Sequence, residues 1–160
     1  MGAESAYDAV AFQAPILRNV QATTDILVAK IRESLPDVVA IYLFGSRLTP
    51  ELVDEDSDWD LAVLVTGGGI EPMTWWNLRY DLAVAIGVEK VDVVDLKRSD
   101  YIIRDEVLQK GRLLYVGDED ARVLWTEVSE RLIWEWMPEY EESNKLSYEA
   151  ALRKLAAYER

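Results

Sequence analysis

Residues 41–65 place a Gly-Ser turn and two spaced carboxylates between two short apolar runs of β type, IYLFGSRLTPELVDEDSDWDLAVLV. The first run ends abruptly at Gly45 and Ser46, where glycine lets the backbone turn and come close to a ligand. If a helix begins there, its unpaired N–H groups, the Ser46 hydroxyl and the Arg47 cation form a site for a phosphate-sized anion. The competing interpretation is an ordinary capped turn, and the carboxylates that follow favour the anion site.

Asp58 and Asp60 stand two residues apart at the start of the second apolar run, residues 61–65. Because successive side chains of a strand alternate between faces, both carboxylates are expected on one face of the sheet. Two carboxylates held side by side repel each other, which raises the pKa of at least one unless a cation lies between them. Mg²⁺ binds one or two carboxylates together with substrate phosphates. The pair beside an anion-binding turn therefore predicts a site for a nucleoside triphosphate and a metal ion.

A third carboxylate is available in the next apolar run, VDVVDL at residues 91–96. Asp92 and Asp95 are three residues apart, so a straight strand directs them to opposite faces. We favour Asp92, because Val94 and Leu96 continue one sheet face with it. Together with the first two carboxylates, it would complete a two-metal site.

The Gly-Ser-Arg turn, the Asp-Trp-Asp strand and the VDVVDL run, in this order, resemble the polymerase-β-like nucleotidyltransferase superfamily. Within that superfamily, a chain this short is similar to the minimal nucleotidyltransferases, the MntA antitoxins that pair with HEPN-domain toxins (HepT). The resemblance covers residues 38–116. It implies the nucleotidyltransferase fold, ATP as substrate, a pair of Mg²⁺ ions, and transfer of AMP to a tyrosine hydroxyl of the cognate HEPN ribonuclease toxin.

The resemblance also implies roles for individual residues. Gly45 and Ser46 would hold the triphosphate. Asp58 and Asp60 would bind metal, and Asp92 would be the third carboxylate, binding the second metal ion.

Two other functions stay open from the sequence. Aminoglycoside nucleotidyltransferases use the same Gly-Ser and Asp-x-Asp pattern on a small-molecule hydroxyl. An antitoxin that retains the fold but acts by binding alone is the other alternative. The presence of all three carboxylates argues against a decayed active site.

Composition narrows the chemistry further. The chain has no cysteine and no histidine, which excludes disulfides, histidine acid–base catalysis and the usual zinc ligands. Its net charge of −13 argues against direct nucleic-acid binding and favours a basic protein partner. No apolar run is long enough to span a bilayer, so we expect no membrane association and a soluble, cytoplasmic protein.

The spacing of apolar residues, together with the Gly and Pro residues that end helices and strands, predicts the remaining secondary structure. We expect one domain over residues 1–160, with a core at about 15–117 and a helical C-terminal segment at about 118–160. The predicted helices cover residues 15–35, 74–86, 99–110, 121–137 and 147–158, and the predicted strands 38–44, 61–65, 91–96 and 113–116. Pro138 is the expected end of the fourth helix. This alternation predicts an α/β (α+β) fold, a small mixed sheet backed by helices.

Tryptophans occur at helical spacing in two of these helices. Trp75 and Trp76 could stack on a base, but core packing is the expected role because of the area that such rings bury. Trp125, Trp134 and Trp136 are expected to pack against the core, with an exposed partner surface as the alternative.

Overall fold

The computed structural model describes residues 20–49 and 56–158. Its elements are helices α1 (Val20–Ser34), α2 (Pro72–Ile86), α3 (Tyr101–Lys110) and α4 (Glu119–Tyr158), and strands β1 (Val38–Phe44), β2 (Trp59–Val65), β3 (Val91–Asp95) and β4 (Arg112–Val116). The predicted helix start at position 15 and most of the loop before β2 lie outside the described residues.

The four strands form one mixed sheet in the order β3-β2-β1-β4. Strand β1 runs antiparallel to both β2 and β4, whereas β2 and β3 are parallel. The parallel pair is joined by α2, as parallel neighbours require a long connection. The predicted small mixed sheet backed by helices, an α+β fold, is therefore confirmed.

Both faces of the sheet are buried, which explains why β1 and β2 read as continuous apolar runs. We call the side covered by α1 and α2 the first face; Leu43, Leu61 and Val93 lie there. The second face carries Phe44 and Ala62 and packs against α3 and the start of α4. Strand residues therefore alternate between two separate cores.

Local capping explains where α2 and α3 begin and end. The side chain of Glu71 accepts a hydrogen bond from the Thr74 N–H at 2.8 Å, and Gly87 ends α2 in the left-handed conformation, as predicted. The cap of α3 is Asp100, which accepts from the Ile103 N–H at 2.9 Å. The predicted helix start at residue 99 was therefore one position early.

The predicted end of a helix at Pro138 is wrong, because α4 continues through it to Tyr158. An interior proline removes one backbone hydrogen bond and costs about 3 kcal/mol, and neighbouring contacts can offset that cost. Here the Trp136 ring stacks on Tyr140 at 4.9 Å and contacts Tyr101 at 5.4 Å. The two helices predicted at the C-terminus are thus one helix.

Some tryptophan rings are half-buried against a core and others are exposed. Trp75 packs against the first-face core and donates its Nε1–H to the Val93 carbonyl at 2.8 Å, and Trp125 packs against the second-face core. Trp76 is 63% exposed and Trp134 is 83% exposed. Core packing is therefore confirmed for Trp75 and Trp125 and is wrong for the two exposed rings.

Among the described helices, none has the length and apolar character to cross a bilayer.

Candidate functional site

Asp60 and Asp92 are register partners on the adjacent parallel strands β2 and β3. Asp60 alternates with Ala62, and Asp92 with Leu96, both of which belong to the second-face core. The two carboxylates therefore lie on one face of the sheet, as strand alternation predicts. Asp58 is exposed and lies one residue before β2, close enough for its charge to act on Asp60.

Asp95 lies on the opposite side of β3 and has a structural role. Its carboxylate accepts hydrogen bonds from the Ile70 N–H at 2.7 Å and the Lys97 N–H at 3.0 Å. These contacts tie the glycine-rich turn after β2 to the end of β3. The geometry separates Asp95 from the pair formed by Asp60 and Asp92.

Gly45 leaves room for the Asp60 carboxylate. Its φ of 79° and ψ of −156° lie in a region that other residues rarely adopt. A Cβ built at position 45 would overlap the carboxylate of Asp60. The turn and the acidic strand can therefore approach each other this closely only with glycine at this position.

Ser46–Leu48 forms a single 3₁₀ turn and not the start of an α-helix. The N–H of Leu48 donates to the Gly45 carbonyl at 3.1 Å, and the N–H of Thr49 donates to the Ser46 carbonyl at 3.0 Å. Fewer backbone donors are free at this turn than at a helix N-terminus. Triphosphate binding by Gly45 and Ser46 stays a prediction.

Arg47 extends along the side of the turn toward the start of β2. Its guanidinium donates to the Ser57 carbonyl at 2.6 Å and lies 4.1 Å from the centre of the buried Trp59 ring. It also lines a cavity of about 570 Å³ whose wall includes Asp58 and Lys90. Arg47 therefore fixes the chain just before the acidic strand, and its predicted contact with nucleotide is untested.

Arg79 and Lys90 are two site residues that the sequence analysis did not identify. Arg79 of α2 contacts Oδ1 of Asp92 at 2.6 Å, and Lys90 contacts Oδ2 at 2.6 Å. Lys90 precedes Asp92 by two residues, so strand alternation could have indicated a shared face. No local pattern points to Arg79, because it comes from a different element.

The two register partners differ in charge environment. Burial, followed by the charges of Asp92 and Asp58, raises the pKa of Asp60 above its ordinary value. Burial also opposes ionisation of Asp92, but hydrogen bonds from Lys90 and Arg79 outweigh it and lower the pKa of Asp92. Its hydrogen bond to Asp92 raises the pKa of Lys90 in turn. The negative charge of Asp92 is thus compensated by ion pairs, whereas that of Asp60 is not.

Within residues 20–49 and 56–158, no three acidic, histidine or cysteine side chains are already arranged around a metal position. Both carboxylate oxygens of Asp92 form ion pairs, one with Arg79 and one with Lys90. The carboxylates of Asp58 and Asp60 are therefore the ones available to bind a metal ion. Carboxylate oxygens are the ligands that Mg²⁺ prefers, and Gly45 keeps the backbone close beside them without a side chain. The donor set therefore fits one divalent cation, and a third carboxylate ligand requires Asp92 to release a cation.

Comparison with known proteins identifies the family of the chain. A family model described as "Polymerase beta, Nucleotidyltransferase" matches residues 27–120, which include all four strands and the carboxylates. No curated protein sequence matches the chain.

Several solved structures share the fold. A chain from a toxin–antitoxin structure with AMP-PNP is 24% identical, with a TM-score of 0.67, and the match covers 76% of this chain and 95% of that one. A chain from a structure of a tri-AMPylated Shewanella oneidensis HEPN toxin with its MNT antitoxin is 24% identical, with a TM-score of 0.64 and coverage of 78% and 95%. A protein described as a minimal nucleotidyltransferase is 26% identical, with a TM-score of 0.51 and coverage of 61% and 95%.

Proposed function

The chain belongs to the polymerase β nucleotidyltransferase family and is a nucleotidyltransferase, and on this basis we propose that it is a Mg²⁺-dependent antitoxin. Its substrate is ATP, and it transfers AMP to a tyrosine hydroxyl of a cognate HEPN-domain ribonuclease toxin. AMP on that tyrosine silences the toxin.

The observation that carries the proposal is the pairing of Asp60 with Asp92 beside Gly45. Two carboxylates in register, with a third one residue before β2, concentrate negative charge on one face of the sheet. Burial of Asp60, followed by the charges of Asp92 and Asp58, raises its pKa, so the charged carboxylate is unfavourable there without a cation. Asp58 and Asp60 would hold a divalent cation there, which would supply positive charge.

The structural neighbours support the choice of nucleotide and acceptor. One is a toxin–antitoxin structure with AMP-PNP, an ATP analogue. Another contains a tri-AMPylated HEPN toxin with its MNT antitoxin. The net charge of −13 on the present chain also suits association with a basic partner.

Each site residue has a defined task in this reaction. The acceptor oxygen forms a bond to the α-phosphorus of ATP, the bond from that phosphorus to the bridging oxygen breaks, and pyrophosphate leaves. Asp58 and Asp60 would hold Mg²⁺, which would supply positive charge to the phosphates and to the leaving group. Asp92 would serve as the third carboxylate ligand of the metal, the hydroxyl proton passes to water, and Gly45 and Ser46 position the triphosphate against the carboxylates.

The test combines the purified chain with a HEPN-domain toxin as candidate partner, ATP and Mg²⁺. We expect the toxin to gain mass in whole AMP units and to lose ribonuclease activity. The Asp60→Asn variant is expected to cause neither change in the toxin. Toxin mass is measured by intact-protein mass spectrometry and ribonuclease activity by RNA cleavage.

The same experiment separates the two alternatives. Loss of ribonuclease activity without added mass would indicate an antitoxin that acts by binding alone. An unmodified, active toxin together with ATP consumption on an aminoglycoside would indicate a small-molecule enzyme. Either result would contradict the proposal.

A further inference from the structure

The two oxygens of Asp92 are held by two different cations. Arg79 contacts Oδ1 and Lys90 contacts Oδ2, both at 2.6 Å. Since Asp92 is the register partner of Asp60, these cations lie beside the acidic pair. They keep the charge of Asp92 compensated when no metal is bound.

Arg79 is fixed in place by its surroundings. Its side chain is 24% exposed, and its guanidinium lies 4.7 Å from the centre of the Trp75 ring. Trp75 is itself anchored through its hydrogen bond to the Val93 carbonyl. The planar guanidinium therefore holds one carboxylate oxygen in a defined orientation.

Lys90 is much less constrained. Its side chain is 54% exposed and comes from the connection between α2 and β3. It also lines the cavity of about 570 Å³ that Arg47 and Asp58 border. An ammonium on a flexible four-carbon stem can leave one partner and reach another within such a cavity.

We propose that Lys90 occupies Oδ2 of Asp92 only until a divalent cation takes that oxygen, and that its released ammonium then binds the phosphates of the nucleotide in the adjoining cavity. Arg79 keeps Asp92 oriented through Oδ1 during the exchange. This inference rests on the proposed nucleotidyltransferase site. It adds a positioning and phosphate-binding residue that the motifs do not contain.

The energetics favour an exchange of this kind. A partly exposed ion pair contributes only about 0.2–1 kcal/mol, so a divalent ion shared with Asp60 can displace the lysine. The cavity wall is rich in carboxylates, including Asp56, Asp58 and Glu89. A triphosphate there therefore requires cations, and the displaced lysine would add its charge to that of Arg47, which lines the same cavity.

The test measures binding, not turnover. Wild type and Lys90→Met are titrated calorimetrically, first with MgCl₂ alone and then with Mg²⁺ plus AMP-PNP. The matched control is Lys30→Met, since Lys30 also forms an ion pair, with Glu33 at 3.3 Å, and is 42% exposed on α1. Lys90→Arg tests whether a cation at this position is sufficient.

We expect Lys90→Met to bind Mg²⁺ alone about two to five times more tightly, because the competing ion pair is gone. We expect the same variant to bind AMP-PNP about tenfold more weakly, a change of about 1.4 kcal/mol. Lys90→Arg should retain nucleotide binding, and Lys30→Met should match wild type in both titrations.

Unchanged or weaker Mg²⁺ binding by Lys90→Met would overturn the exchange. Unchanged nucleotide binding would overturn the phosphate contact. If wild type transfers AMP and Lys90→Met binds both ligands as wild type does, only this inference fails. If wild type binds neither Mg²⁺ nor AMP-PNP, the proposed function fails with it.

Discussion

The carboxylate of Asp60 occupies the space that a side chain at position 45 would need. The Gly-Ser turn and the acidic strand are thereby coupled, because a side chain at position 45 would have to displace the Asp60 carboxylate. This coupling explains why a glycine with φ of 79° precedes the 3₁₀ turn.

Substitution of Gly45 by alanine is expected to abolish nucleotide transfer and to destabilise the fold. The matched control is Gly67→Ala, because Gly67 has φ of 69° but no atom within 4 Å of a built Cβ. The control should cost only the backbone strain of about 1–2 kcal/mol and keep activity. Thermal melts and transfer assays compare the two variants; equal effects on activity would contradict the close approach of Gly45 to Asp60.

Asp58→Asn and Asp60→Asn are each expected to reduce transfer by at least about a hundredfold, because the carboxylate charge holds the metal. Both variants should fold, since neither side chain is fully buried. Asp81→Asn, at an exposed position of α2, serves as the control and should retain full activity. Full transfer by both site variants would exclude this pair as metal ligands.

Substitutions at Asp92 and Asp95 are expected to affect different properties, activity at the first position and stability at the second. Asp92→Asn should lose transfer, whereas Asp95→Ala should lose stability by about 1–3 kcal/mol, because the N–H groups of Ile70 and Lys97 lose their acceptor. Denaturant unfolding and transfer assays on both variants test the assignment. The reverse ranking of activity would show that Asp95 is the third carboxylate.

Stability without metal should depend on pH in opposite ways at the two register partners. The folded state raises the pKa of Asp60, so stability is lost as pH rises from the ordinary value of 3.8 through the folded pKa. Asp60→Asn should therefore raise Tm at neutral pH, and this gain should shrink toward about pH 4.

The pKa of Asp92 is lowered, so this carboxylate contributes stability that is lost as pH falls through its folded pKa. Asp92→Asn should accordingly lower Tm at neutral pH. Thermal melts in chelator at both pH values compare the variants, and changes of the same sign would contradict the unequal compensation.

Magnesium should stabilise wild type more than Asp60→Asn, because a ligand that binds only the folded form raises its stability. Melts with and without MgCl₂ measure the difference in Tm. Equal stabilisation of both proteins would mean that Mg²⁺ binds elsewhere.

Much of this architecture follows from short-range sequence patterns. The bounds of β1, Val38–Phe44, were predicted because an apolar run stops at a glycine. The separation of Asp92 from Asp95 follows from the two-residue period of a strand, whereas the pairing of Asp92 with Asp60 depends on the register between β2 and β3.

The remainder depends on contacts between distant elements. Arg79 and Asp92 are thirteen residues apart on a helix and a strand, so no local pattern links them. A proline usually ends a helix. Here α4 continues through Pro138, and Trp136 and Tyr140 stack on each other across it. Propensity gives only the local preference, and tertiary packing can override it.

The most direct test of AMP transfer follows the position of the label in ATP. Wild type, Mg²⁺ and the candidate HEPN-domain toxin are incubated with ATP labelled at either the α- or the γ-phosphate, with Asp60→Asn in parallel. We predict that the toxin acquires the α label and not the γ label, with release of pyrophosphate, and that Asp60→Asn transfers neither. Labelling from the γ-phosphate, or equal labelling by Asp60→Asn, would contradict the account.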